Sequence, residues 1–303
     1  MKTDKHRGRK FVLLALAIVT SCEASNSAEG GQSAGPTQPA LSASCESDCE
    51  VPFLLQGGYL ITVEARMGRQ RRLRFALDTG ATHSLVRPGF AKAPGSGQRP
   101  LRIVNLDRVI TQAVLEDADF ELGPVRIPQL LVLVNDLGYL RETAPDVDGV
   151  IGLDVLRMSS FGIDFGKRKI KFGAPRLLRS SVPIEAAESY LAVEVRMLDR
   201  PVRLLVDTGV PSILLYRDRM GDRLPDLKIE QRIRGASLGG TAPLEVVTLP
   251  RLELNGTELQ RRAVLLRNSP AGFLPGVDGY LSVAALGAWR LSFDFERNLL
   301  SWE

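Results

Sequence analysis

The sequence predicts a mostly β protein with two similar lobes, and two features of the chain lead to this prediction. Pro and Gly are plentiful, at 18 and 28 of 303 residues, and the runs of Val, Ile and Leu are short. This composition favours short strands joined by turns over long helices. The chain also repeats itself, since Leu73–Ala81 recurs as Val202–Val210. A duplicated unit fits two lobes of roughly 100 to 150 residues each.

The repeat continues in register beyond this first block. Asp148-Gly149 returns as Asp278-Gly279, and Gly162–Phe172 returns as Ser292–Trp302. The shift is 129 residues for the first block and 130 for these two, so a single-residue insertion separates three matching blocks. We therefore expect the two lobes to share their structural elements.

Each lobe is expected to contain strands, a closing hairpin and one short helix. Alternating apolar residues predict the strands, and the repeat pairs most of these segments between the lobes. The predicted strands are Tyr59–Ala65, Tyr190–Arg196, Val125–Val134 and Leu259–Leu266; the hairpins are Ile163–Phe172 and Leu291–Trp302; the short helices are Leu153–Met158 and Val283–Leu286; and residues 174–182 connect the lobes.

The N-terminal 21 residues are predicted to be a signal peptide. A basic start precedes the apolar run Phe11–Val19, which is too short to span a membrane. The run ends in Val19-Thr20-Ser21-Cys22, which resembles the lipobox of bacterial lipoproteins, with an ordinary signal peptide as the alternative. The resemblance implies lipidation at Cys22 and a place in the bacterial cell envelope, facing the periplasm or the cell surface. Glu23 favours the outer membrane over the inner one.

Residues 22–50 are predicted to be the lipidated Cys and a flexible tether, because they are small, polar and rich in turn formers. Cys45 and Cys49 lie within this segment, and an oxidising compartment favours a disulfide between them. A metal site would need more ligands than this segment supplies. We expect no metal and no cofactor.

The net charge gives no support to nucleic-acid binding. The formal charge of the whole chain is +4, with 39 basic and 35 acidic residues. Residues 1–21 contain five of the basic residues and one of the acidic ones, which leaves 34 of each. A nucleic-acid-binding protein normally carries a basic excess, so we expect no such partner.

The repeated block ends in a motif with clear chemistry. Three apolar residues precede Asp78-Thr79-Gly80, and three more precede Asp207-Thr208-Gly209. A buried strand fixes the Asp at its end, and Gly allows a sharp turn. The Thr hydroxyl can form a hydrogen bond to the partner loop. Two copies in register form a much stronger signal than one Asp-Thr-Gly triplet.

With these motifs, residues 51–303 resemble the pepsin and retropepsin kind of aspartic peptidase. The resemblance implies two pepsin/retropepsin-like β-barrel lobes, at 51–175 and 182–303, with a cleft between them. Asp78 and Asp207 would be the catalytic pair, Thr79 and Thr208 would brace the loops, and Gly80 and Gly209 would permit close approach. Because one chain carries both loops, it would act as a monomer. Leu101–Gln112 and Gly235–Thr241 are the candidate flap hairpins.

The expected activity is endopeptidase cleavage of a polypeptide substrate by water activated between the two Asp residues. Two close carboxylates share one proton, so one can act as base and the other as acid. Ser282 replaces the Gly found at position 152, and Pro211 stands where this family often has Ser or Thr. These departures leave a second hypothesis open, in which the protein is a catalytically silent lipoprotein that binds peptides or partners.

Overall fold

The computed structural model describes residues 11–12, 18–19, 50–68, 72–90, 100–187 and 189–303. Within these ranges the protein is mostly β, as predicted. In the first half the strands are β1 (Phe11–Val12), β2 (Ile18–Val19), β3 (Glu50–Gln56), β4 (Leu60–Met67), β5 (Leu73–Leu77), β6 (Leu85–Val86), β7 (Leu101–Val104), β8 (Val109–Leu122), β9 (Val125–Val134), β10 (Gly149–Ile151), β11 (Phe161–Asp164) and β12 (Lys169–Phe172). Helix α1 covers Leu153–Leu156, and 3-10 turns cover Pro88–Phe90 and Gly138–Leu140.

The second half repeats this plan. Its strands are β13 (Ser180–Pro183), β14 (Glu185–Ala187), β15 (Tyr190–Met197), β16 (Arg200–Asp207), β17 (Ile213–Tyr216), β18 (Ile229–Ser237), β19 (Gly240–Thr248), β20 (Leu252–Leu254), β21 (Thr257–Glu258), β22 (Arg262–Leu266), β23 (Gly279–Ser282), β24 (Arg290–Asp294) and β25 (Leu299–Trp302). Helix α2 covers Arg217–Met220, and 3-10 turns cover Gly221–Arg223 and Val283–Leu286.

The repeat in sequence is also a repeat in sheet order. Lobe one has the order β4-β5-β10-β6-β9-β8-β7, and lobe two has β15-β16-β23-β17-β22-β19-β18. The central parallel pairs match residue by residue: Phe75 lies opposite Gly149, and Leu204 lies opposite Gly279. The predicted two-lobed, pepsin-like fold is confirmed.

The two closing hairpins join the lobes. Strand β11 of lobe one pairs antiparallel with β24 of lobe two, so that Phe161 faces Phe293. Their rings stack at 4.8 Å between centroids inside the core. The resulting shared sheet has the order β13-β25-β24-β11-β12-β3. The sequence predicted both hairpins but not their pairing, because that pairing depends on how the lobes meet.

Three expectations need adjustment. The strand predicted at Leu259–Leu266 begins only at Arg262, since Leu259 bonds back to Leu252 through its N–H. The helix predicted at Val283–Leu286 is a 3-10 turn, which Ser282 caps. The helix predicted at Leu153–Met158 ends at Leu156.

Candidate active site

The two Asp-Thr-Gly loops lie at the ends of equivalent buried strands. Asp78 directly follows β5, and its N–H donates to the carbonyl of Ile151 at 3.0 Å. Asp207 is the last residue of β16 and lies opposite Ser282 of β23. Both Asp side chains are fully buried. The parallel pairs β5–β10 and β16–β23 therefore hold the two Asp residues at equivalent strand ends.

A reciprocal set of hydrogen bonds joins the loops through Thr79 and Thr208. The Thr79 N–H donates to Oγ1 of Thr208 at 3.0 Å, and the Thr208 N–H donates to Oγ1 of Thr79 at 3.1 Å. Each hydroxyl then donates onward, Thr79 to the carbonyl of Val206 at 2.8 Å and Thr208 to that of Leu77 at 3.0 Å. All four bonds are buried. They hold the two lobes in register at this point.

The loops bring the two carboxyl groups together. Oδ1 of Asp78 accepts the Gly80 N–H at 2.9 Å, and Oδ1 of Asp207 accepts the Gly209 N–H at 2.6 Å. Oδ2 of each Asp is buried without a hydrogen-bond partner among the described residues. A Cβ at Gly80 would collide with the Asp207 carboxyl group. The close approach of the loops therefore requires glycine at position 80.

Burial raises the pKa of both carboxyl groups above the usual value for Asp. Loss of solvent is the main cause at each site, and the charge of Asp207 raises the pKa of Asp78 further. The backbone N–H groups of the glycines partly offset these effects. Two neighbouring buried carboxyl groups favour holding one proton between them near neutral pH.

In lobe one a network from α1 supports the loop behind Asp78. Asp154 accepts the N–H of Ser84 at 2.8 Å and its hydroxyl at 2.7 Å, and Oγ of Ser84 accepts the Gly152 N–H at 3.1 Å. A Cβ at Gly152 would lie 2.9 Å from the Ala81 carbonyl oxygen, which is too close. Burial raises the pKa of Asp154 to about 7, although the bonds from Ser84 oppose this shift.

In lobe two, Ser282 supports the equivalent loop, the one behind Asp207. Its hydroxyl donates to the carbonyl of Val210 at 2.7 Å, and its Oγ accepts the N–H of Ala284 at 3.2 Å. In lobe one the equivalent carbonyl, that of Ala81, accepts the N–H of Leu153 at 2.8 Å. The serine hydroxyl thus supplies a donor that the backbone supplies in the other lobe. Ser282 is fully buried, and its hydroxyl bonds to the residue that follows the second Asp-Thr-Gly motif.

Two hairpins meet over the site, at the two segments named from the sequence. The first hairpin is β7–β8 with its tip at Asn105–Arg108, and the second is β18–β19 with its tip at 237–240. Arg108 Nη2 donates to the Thr241 carbonyl at 3.3 Å across the lobes. The tips thus contact one another.

Each tip also inserts a leucine into the opposite lobe. Leu106 belongs to the buried cluster that contains Val210, and the hydroxyl of Tyr216 donates to its carbonyl at 2.6 Å. Leu238 belongs to the cluster that contains Ala81. Val210 and Ala81 are the residues that follow the two Asp-Thr-Gly motifs.

Sequence reasoning missed the tyrosines around the carboxyl pair. The charges of both Asp residues help raise the pKa of Tyr59 and Tyr280, after burial as the main cause. Asp78 acts in the same way on Tyr139, whose buried hydroxyl has no partner among the described residues. No motif marks these tyrosines, since they approach the site only through folding.

The N-terminal predictions fall outside what the structure describes. Cys22, Cys45 and Cys49 lie outside the described residues, as does most of the predicted signal peptide. No described helix is long and apolar enough to cross a bilayer. Among the same residues no three His, Cys, Asp or Glu side chains are grouped as metal ligands would be.

Comparison with known proteins decides the family. The family model described as aspartyl protease matches residues 63–155 and 193–284, one match in each lobe and more than half of the chain. The chain belongs to the aspartyl protease family. The two matches reproduce the internal repeat, and each spans one Asp-Thr-Gly loop of the chain.

Comparison beyond the family model adds little about this chain. No curated protein sequence matches it. Among solved structures, basic 7S globulin from soybean aligns over 84% of this chain and 94% of that chain. The sequence identity is 12% and the TM-score is 0.45, so this likeness has no bearing on activity.

Proposed function

We propose that the protein is an aspartic endopeptidase that hydrolyses peptide bonds with water activated between Asp78 and Asp207. The observation that carries the proposal is the pair of buried carboxyl groups, each with an unpartnered Oδ2. Buried polar atoms without partners are uncommon and call for an explanation such as a catalytic role. An atom pair that binds water and then a substrate carbonyl provides that explanation.

The chemistry would follow from the shared proton. The ionised carboxyl takes a proton from the water as the water attacks the scissile carbonyl, and the protonated carboxyl donates a hydrogen bond to the carbonyl oxygen. The proton taken from the water is then delivered to the nitrogen as the C–N bond of the tetrahedral intermediate breaks, which releases the amine and the carboxyl product and leaves the pair with its one shared proton. The Gly80 and Gly209 N–H groups stabilise the ionised form by donating to the two Oδ1 atoms.

The hairpins favour an extended polypeptide as substrate. The first hairpin accepts β2 as an added antiparallel strand, with Ile18 opposite Val104. The second accepts β1 as a parallel strand, with Phe11 opposite Gly235. Both pairings lie beside the hairpin tips, and strand addition at a free edge is a common mode of peptide recognition. The same edges would hold the backbone of a substrate.

Space for a substrate side chain exists next to the second hairpin. A cavity of about 300 Å³ is lined by Tyr139 on one side and by Ser237 and Leu238 on the other. The charge of Asp78 contributes to the raised pKa of Tyr139, so one wall of the cavity lies close to the carboxyl pair. A side chain flanking the scissile bond would fit there.

We also propose that the protein is anchored to the bacterial outer membrane through lipid on Cys22. The signal-like residues 1–21 and the lipobox-like sequence before Cys22 support this. Mass spectrometry of the N-terminal peptide from the membrane fraction tests it. A lipid-modified Cys22 is expected, and Cys22→Ser should release the protein; an unmodified Cys22 in the mature protein would overturn the anchor.

The peptidase proposal is tested by digestion of a peptide library with the chain from Glu23 onward, across mildly acidic to neutral pH. We expect cleavage by the parent and none by Asp78→Asn. Asp164→Asn, which changes a carboxyl group on the shared sheet, is the matched control and should cleave as the parent does. A folded parent that retains peptides without cleaving them at any pH would favour the alternative, a peptide-binding lipoprotein.

A further inference from the structure

The shared sheet has one outward face that is distinct from the cleft. Cross-strand neighbours lie on the same side of an antiparallel sheet. Lys171 lies opposite Glu50, and Lys169 lies opposite both Pro52 and Asp164. Along β12 these lysines are exposed, whereas Ile170 and Phe172 are buried. The lysines therefore project outward from the sheet while the alternate residues form the core.

This outward face forms a basic groove. The groove has a volume of about 310 Å³ between the sheet and the connecting segment 174–178, where Leu178 N–H donates to Oγ of Ser301. Five cations and two carboxylates line it, which gives a net charge of +3: Lys167, Lys169, Lys171, Arg176 and Arg290 against Glu50 and Asp164. The chain after residue 21 has no net charge, so positive charge is concentrated here.

Pairing within the groove leaves three of these cations as its free charge. Lys169 forms an ion pair with Glu50, and Arg290 forms ion pairs with Asp164 and with Glu303. Lys167, Lys171 and Arg176 are the remaining basic residues, and all three are exposed. An exposed basic surface attracts anions, and it is attracted most strongly to a surface that carries many anions, such as a bilayer of anionic lipids.

Exposed apolar side chains border the same groove. Leu177 is 58% exposed and lies between two groove residues, Arg176 and Leu178. Trp289 is 50% exposed, and its carbonyl accepts the N–H of Phe165 at the start of the turn that carries Lys167. Tryptophan beside basic residues is typical of protein surfaces that contact the headgroup region of a bilayer.

The chain also enters the folded domain at this groove. Glu50 begins β3 beside Lys171, and 27 residues separate it from Cys22. The first and second hairpins contribute no residue to the groove. Contact through this face would therefore leave both hairpin tips free to admit a substrate.

We propose that the basic groove, bordered by Leu177 and Trp289, docks the protein onto an anionic membrane surface. The phosphate groups of anionic lipids pair with Lys167, Lys171 and Arg176, and the two apolar side chains enter the headgroup layer. The docking requires neither catalysis nor the lipid on Cys22, and it orients the domain that the lipid would merely tether.

Vesicle sedimentation tests this docking with the chain from Glu23 onward, which carries neither the lipid nor the five basic residues found in 1–21. Neutral vesicles report any binding through apolar contact alone, and vesicles with added anionic lipid report the groove. We expect tighter binding to anionic vesicles that weakens as salt rises. Replacing Lys167, Lys171 and Arg176 by Gln should lower the anionic-vesicle affinity roughly 100-fold, because each basic residue near such a surface contributes about a factor of five.

The matched control removes the same charge elsewhere. Lys228, Arg261 and Arg262 are exposed in lobe two and absent from the groove. Their replacement by Gln should leave binding within about twofold of the parent's, since charge away from the contact is screened. Equal losses in the two triple variants, or no preference of the parent for anionic over neutral vesicles, would overturn the docking surface.

Trp289 provides an independent readout. The chain has two tryptophans, and Trp302 is buried at 3% exposure. Anionic vesicles should therefore shift the tryptophan emission to shorter wavelength in the parent and not in Trp289→Phe. A shift that survives Trp289→Phe would place the contact on another surface.

Discussion

The bonds between the two Asp-Thr-Gly loops predict a large stability effect for Thr208→Val. The substitution keeps the shape of the side chain but removes the hydroxyl. The Thr79 N–H then loses its acceptor and the Leu77 carbonyl loses a donor, both in buried positions. Each buried group left unpaired costs about 1–3 kcal/mol, so we expect the free energy of unfolding to fall by about 2–6 kcal/mol for the two groups. This is a large part of a typical domain's total of about 5–15 kcal/mol.

Urea unfolding followed by circular dichroism measures this loss. Thr208→Ser keeps the hydroxyl and should cost no more than about 1 kcal/mol, the contribution of one buried methyl group. Thr111→Val, at an exposed position of β8, controls for the loss of a threonine hydroxyl as such. If Thr208→Val were no less stable than Thr208→Ser, the bonds between the loops would not hold the lobes together, and the account of the site would be wrong.

Three further substitutions test the contacts that support the Asp-Thr-Gly loops and the first hairpin. Ser282→Ala should lower the free energy of unfolding by about 1–3 kcal/mol, measured in urea, because it leaves the buried Val210 carbonyl without its donor; an unchanged value would contradict the role of this hydroxyl. Asp154→Asn should flatten the pH dependence of stability. The pKa of Asp154 is about 7 in the folded protein and lies above the ordinary value of 3.8. Folding therefore favours the protonated carboxyl group, whose contribution to stability is complete below about pH 4 and is lost as pH rises through 7. Relative to Asp154→Asn, the parent loses up to about 4 kcal/mol over this range; parallel pH curves from urea titrations would refute this. Leu106→Ala should loosen the first hairpin, because Leu106 is 1% exposed within the cluster of lobe two. Amide exchange at its tip should accelerate by roughly 30- to 1,000-fold, as expected for a loss of about 2–4 kcal/mol, and exchange as slow as in the parent would contradict the insertion.

The sequence predicts most of the fold because the two copies of the repeat form strands in the same order in the two lobes. Val125–Val134 and the strand at Tyr190 appear where the alternating pattern places them. The pairing of β11 with β24 could not be predicted, since it joins segments 126 residues apart through a contact that exists only between folded lobes. The sequence pattern of either hairpin would be the same without it.

Some residues of the candidate site could likewise be predicted from the sequence, and others could not. Asp78 and Asp207 could be named from the sequence because a repeated motif marks them. The sequence showed Ser282 only as a departure from the Gly at position 152, whereas the structure shows a hydroxyl that bonds to a loop carbonyl. Tyr139 and the support of Ser84 by Asp154 gave no signal, because a buried polar contact depends on partners that are distant in the sequence.

The central claim is that Asp78 and Asp207 act as one unit, and double-mutant kinetics tests it most directly. On a peptide that the parent cleaves, kcat/KM is measured for Asp78→Asn, Asp207→Asn and the double variant, with folding checked by circular dichroism. Residues that act as a unit show strongly non-additive losses. Each single variant is expected to fall to the background rate, and the double variant is expected to fall no further. Substantial activity in either single variant, or losses that add in the double variant, would contradict the claim.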